Sequence, residues 1–155
     1  MVLRKYGVIA VLCLSTSFGF AQKTAAYLDK ESLLKDGLEL FDKKQFVAAQ
    51  KSFSDYLSLK SSPSLLKTDA EYYAAACAIE LFHKDGEWRM REFITEHPES
   101  NKINGAWFYL GKSSYRKKKY EETIKNFEKV DIYKLTKEDL AELYFKRGYS
   151  YIETG

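Results

Sequence analysis

The stretch GAWFYLGKSSY, Gly105 to Tyr115, sets a lysine and a serine directly behind a glycine. That is the order in which a phosphate-binding loop offers backbone amides, a charge and a hydroxyl. Such a loop needs its first glycine four residues ahead of the Gly-Lys-Ser, and Gly105 stands one residue too far away. The intervening Ala106, Trp107, Phe108, Tyr109 and Leu110 would crowd amides wrapping a phosphate. The preceding TEHPESNKIN is polar and carries a proline, so no strand leads in. Lys112 therefore reads as a lysine on a helix face. His83 and His97 sit near helix ends or turns, where they read as solvent-facing, with no cysteine or carboxylate partners at metal-ligand spacing. Cys77 reads as a small buried residue rather than a nucleophile. No Ser-His-Asp layout or acid–base pair emerges. The sequence is read as that of a non-enzyme, with no catalytic residue, cofactor or metal.

What must position these residues is a repeat. LLKDGLELFDKKQF, YAAACAIELFHKDG, WFYLGKSSYRKKKY and YFKRGYSYIETG share a small residue, at Gly37, Cys77, Gly111 and Gly148. Four residues earlier stand Leu33, Tyr73, Trp107 and Tyr144; four later stand Phe41, Leu81, Tyr115 and Ile152. Sixteen later comes a phenylalanine in each complete unit: Phe53, Phe93 and Phe127. Large residues four apart lie on one helical face, and the small one between them lets a second helix cross closely. Amphipathic stretches such as FVAAQKSFSDYL and YEETIKNFEKV supply that second helix. One helix pair cannot bury both its apolar faces, so the pairs must stack.

This pattern resembles the tetratricopeptide repeat. Trp107, Leu110, Gly111, Tyr120 and Phe127 fall on its aromatic, Leu-Gly, turn-tyrosine and second-helix positions, and Gly37, Phe46, Ala49 and Phe53 do so in the first unit. Thr123, Arg89 and Gly86 depart from it, which leaves the second helix of unit two the least defined. The resemblance implies an all-α superhelix of about three and a half helix–turn–helix repeats over 30–155, with units near 30–60, 69–98, 103–132 and an incomplete 139–155. SLKSSPSLLKTD, with Pro63, is expected to be an elongated loop, with Asp69 capping the next helix. Pro98 should stop one helix, and Thr136 with Asp139 should start the last.

The resemblance also implies a concave groove lined by the first helices, which binds a protein or peptide. Phe108, Lys112, Tyr115, Phe145 and Tyr149 map onto it, with Leu34 and Leu38 in unit one and Ala74 and Ala78 in unit two. The groove is thus expected to be aromatic toward its C-terminal end, although aromatics at this spacing also suit a core. Leu34 and Leu38 exclude the clamp for a C-terminal carboxylate. The turns carry Lys43, Lys44, Lys84 and the run RKKK, Arg116 to Lys119, which stacking would align along one edge. That edge could meet acidic lipid or an acidic partner, or simply be solvated. The last helix spreads Tyr144, Phe145, Tyr149, Tyr151 and Ile152 around its surface where a cap would be polar. It is expected to continue the array, or to dock on a partner or a second copy.

The chain opens with Arg4 and Lys5, an apolar run GVIAVLCL and small residues at Gly19 and Ala21, the layout of a signal peptide over residues 1–21. The run is too short for a span of ~20 residues, and Cys13 inside it follows bulky Leu12, which argues against lipidation. Residues 22–29 form a short N-terminal segment. Cleavage would leave 23 basic against 22 acidic residues and Cys77 as the sole cysteine, hence no internal disulfide. This near-balance, with export, speaks against nucleic acid as a ligand. FITEHPES looks like the junction common in periplasmic members of the family. The functional expectation is an exported interaction scaffold in the periplasm or cell envelope of a bacterium, with no transmembrane span. Alternatives are the non-catalytic front of a larger enzyme or receptor, and a glycan- or peptidoglycan-binding repeat protein.

Overall fold

A computed structural model describes residues 31–59 and 64–155. The expected signal peptide and the 22–29 segment lie outside the described residues. Those described form an all-α protein without strands: α1 (31–42), α2 (Phe46–Leu57), α3 (Ser64–Glu80), α4 (Gly86–Glu96), α5 (Ile103–Arg116), α6 (Tyr120–Phe127) and α7 (Lys137–Thr154). A short 3-10 turn, Ile132–Lys134, precedes the last helix. From α2 onward each helix packs on the next, and α3, α5 and α7 also touch in alternation.

α3 shows why the middle of the chain is alanine-rich. Ala70, Ala74 and Cys77 join Leu34, Ala49, Phe53 and Tyr56 in one core cluster. Tyr72, Ala75, Ala76 and Ile79 join Met90, Phe93, Ala106 and Leu110 in the next. A helix buried on two sides has room only for small side chains where neighbours cross. A third cluster, Phe108, Phe127, Val130 and Leu143, seats α7. Trp107 packs between the second and third, with the Lys129 Nζ 3.8 Å from its ring centroid.

The repeated small slot has a concrete geometry in two hairpins. A Cβ on Gly37 would lie 2.6 Å from the Phe53 ring. A Cβ on Gly111 would collide in the same way with the Phe127 ring. Phe53 and Phe127 are fully buried, so neither ring can swing aside.

Two slot assignments need correction. Cys77 does not face Phe93: it packs with Ala49 and Phe53 of the preceding hairpin. The left-handed turn residue explains the shift. Lys44 and Lys118, with φ near 58° and 57°, fall seven residues after Gly37 and Gly111, but Phe82, φ 61°, falls only five after Cys77. Counting back seven from Phe82 gives Ala75, which shares the cluster of Phe93. The turn between α3 and α4 is two residues longer than its counterparts, and the sequence spacing hid it. Gly148 is the second correction, because a Cβ there would meet nothing within 4 Å. Gly86, placed by sequence in a turn-aromatic slot, is buried at the start of α4. A Cβ on it would lie 2.9 Å from the Ala78 and Ile79 backbone. That close crossing orders the helix left least defined by sequence.

The three turns share a C-cap. Lys44, Phe82 and Lys118 donate their N–H to the carbonyls of Phe41, Ile79 and Tyr115, and the next residue's N–H reaches Leu40, Ala78 and Ser114. This satisfies carbonyls that the helix end leaves unpaired. The 64–69 segment is helical rather than loop, so Asp69 lies inside α3 and caps nothing. Leu66 explains it by packing on the first core cluster. α4 does end ahead of Pro98, and Thr136 caps α7 by accepting the Asp139 N–H at 3.1 Å.

The glycine slots predict opposite signs for one substitution. Gly111→Ala should lower stability in urea denaturation, since overpacking of about 1–3 kcal/mol exceeds the ~1 kcal/mol helix-propensity gain. Gly148→Ala should raise it by about 0.5–1 kcal/mol.

Candidate functional site

The Gly-Lys-Ser stretch lies wholly within α5. The Lys112 ammonium, mostly covered, sits 2.6 Å from Glu80 and 3.6 Å from Glu142, over the rings of Phe108 and Tyr109. Arg116 completes the Glu80 pair at 3.2 Å and donates to the Ile79 carbonyl. Lys146 reaches Glu142 at 3.3 Å and lies over Tyr115. This charge ladder ties α3, α5 and α7 side by side. No local sequence pattern announces it, because Glu80, Lys112 and Glu142 are each about thirty residues apart. Ser113 donates to Glu87, and Ser114 donates to the Leu110 carbonyl while accepting from Asn126.

The proposed groove set therefore divides. Phe108 is a correction: it is 3 % exposed and packs on Phe127, Val130 and Leu143, so it is core. Lys112 is held in the ladder. Tyr115, Tyr120 and Tyr149 form an edge-on aromatic group with centroids 5.8–6.2 Å apart. The expected aromatic floor is thus a charged ladder ending in tyrosines.

Phe145 stands apart. The residue three before the small slot is buried in each earlier hairpin: Leu34 at 7 %, Tyr72 at 7 % and Phe108 at 3 % exposed. Phe145 holds the same position on α7 and is 66 % exposed. Around it Tyr144, Gly148, Tyr151 and Ile152 are also exposed, whereas Leu143 and Ser150 face inward. The outward side of α7 is an apolar strip with an open glycine notch.

The remaining reactive side chains have structural partners. His83 lies 3.4 Å from Gln50. His97, expected to face solvent, is half-buried, bonds the Glu71 carboxylate at 2.8 Å and packs on Phe93, tying α4 to α3. Among the described residues no group of three or more His, Cys, Asp or Glu could hold a metal ion, and no helix is long and apolar enough to cross a membrane. Comparison with protein-family models, curated proteins and solved structures gives no match.

Burial, reinforced by Glu80, pushes the Cys77 thiol up to about 12. An unfolded thiol ionises near ~8.5, so above that pH the unfolded state loses the proton that the folded state keeps. Stability from this group is complete below ~8.5 and falls as pH rises toward 12. Buried Tyr72 and partly buried Tyr109, also shifted up by desolvation, act in the same direction at higher pH. Folded protein should resist iodoacetamide at pH 8 and react only after urea unfolding, as mass spectrometry of the alkylated peptide will report. Rapid labelling of the folded chain would contradict the burial.

Proposed function

We propose that this chain is an exported scaffold of the tetratricopeptide type, which binds protein partners in a bacterial cell envelope and performs no catalysis of its own. Stacked hairpins with ring-in-glycine crossings support the repeat reading, because each unit leaves a face that the next must cover. The leader-like opening and the FITEHPES junction support the location.

The observation that carries the binding role is the exposure of Phe145. Three equivalent positions are core, and the fourth is exposed among the described residues beside the Gly148 notch, where a partner or a further helix of the array could cover it. Flanked by Tyr144, Tyr151 and Ile152, it forms an anchor strip suited to an apolar helix face on the partner. The α3–α5–α7 ladder holds that strip rigid by pairing its charges internally.

Phe145→Ser with Ile152→Ser, both at exposed positions, should leave the helical circular dichroism unchanged. Recovery of the specific partner from envelope extract, quantified by mass spectrometry, should fall more than about tenfold, as loss of interface anchors does. Equal recovery by the double variant would remove α7 as the binding face.

A further inference from the structure

The turns that join paired helices lie along one edge. Gln50 of α2 bonds His83 of the second turn, and the Arg116 guanidinium at the third lies 4.4 Å from the Phe82 ring centroid. This edge has two features that the scaffold reading leaves unused. The first is charge without partners: Lys43, Lys44, Lys84 and Lys118 have no ion-pair partner among the described residues. The local carboxylates Glu80, Asp85, Glu87 and Glu122 are taken by Arg116, Arg89, Lys117 and Lys119. Against these four ammonium groups, Asp42, Glu121 and, at the end of α7 beside Tyr149, Glu153 have no ion-pair partner among the described residues.

The second feature is apolar. Phe82 is 73 % exposed in a left-handed backbone conformation that a bulky side chain rarely adopts and that glycine would occupy freely. Val47, beside the first turn, is 72 % exposed. Strained and exposed large residues raise the question of function.

We infer that this turn edge docks on an anionic phospholipid surface, with the lysines against headgroup phosphates and Phe82 and Val47 at the acyl boundary. The free lysines are spread over three successive turns rather than converging on one cleft. A sheet of negative charge meets all of them at once, whereas a peptide carboxylate would engage one turn. Basic side chains with interleaved apolar ones are the composition that holds proteins at a bilayer interface. Tyr149 of α7 packs on Tyr115 and Tyr120 beside the third turn, but none of the lysines or apolar residues assigned to the membrane lies on α7.

The test is sedimentation of the full chain with vesicles of phosphatidylglycerol and phosphatidylcholine in equal amounts, against phosphatidylcholine alone. The apolar run near the N-terminus is common to every variant, so differences report the edge. Wild type should partition onto the anionic vesicles preferentially, and added salt should weaken that partitioning. Lys43→Gln with Lys84→Gln avoids the left-handed positions and should cost about fivefold per lysine. Phe82→Ser should cost about tenfold on its own. Equal partitioning onto both vesicles, or no loss in the lysine variant, would overturn the inference. Retention on polyglutamate resin without anionic-vesicle binding would also overturn it, and would assign the edge to an acidic protein segment. Since the lysine changes leave Phe145 intact, partner capture through α7 should persist in them.

Discussion

A phenylalanine ring seated on a glycine holds this chain in paired helices. Gly37 under Phe53 and Gly111 under Phe127 let two helices approach until ring meets backbone, a distance any side chain would prevent. Burial of a whole aromatic there contributes far more than the helix propensity lost by choosing glycine. The rest follows from that crossing. It fixes how far apart paired helices lie, and hence where the next helix finds an apolar surface to cover.

The second hairpin solves the same problem differently. Its α3 must pack on neighbours at both sides, and a run of alanines with Cys77 gives small bulk over a long stretch instead of at one notch. Close crossing moves to Gly86, at the start of α4. Two added turn residues then separate Phe82, in the left-handed position held by lysines elsewhere, from the start of α4.

Fold class was legible because small and large residues recur at helical spacing, a signal independent of tertiary detail. The Leu-Gly of α5 and the Thr136 cap could be read directly, since each depends on neighbours close in sequence. Register in unit two could not, because Cys77 and Ala75 are both small and only the turn length distinguishes them. Assignment of Phe108 to a groove failed for a related reason: a residue bordering the first-helix face is covered once α6 and α7 pack across it. Charge pairs such as Glu80 with Lys112 join helices distant in sequence, and no local pattern announces them. The α7 strip was visible in composition, but its significance rests on comparison with the buried positions of Leu34, Tyr72 and Phe108.

The central claim is that ring and glycine act as one unit, and a double-mutant cycle measures that coupling. Gly111→Ala, Phe127→Leu and the combined variant would be compared in urea denaturation of the full chain. If the ring occupies the notch, trimming it relieves the added methyl. The double variant then loses less stability than the sum of the single losses, by about 1 kcal/mol or more. Strict additivity would mean that the methyl and the ring do not meet, and would contradict the account.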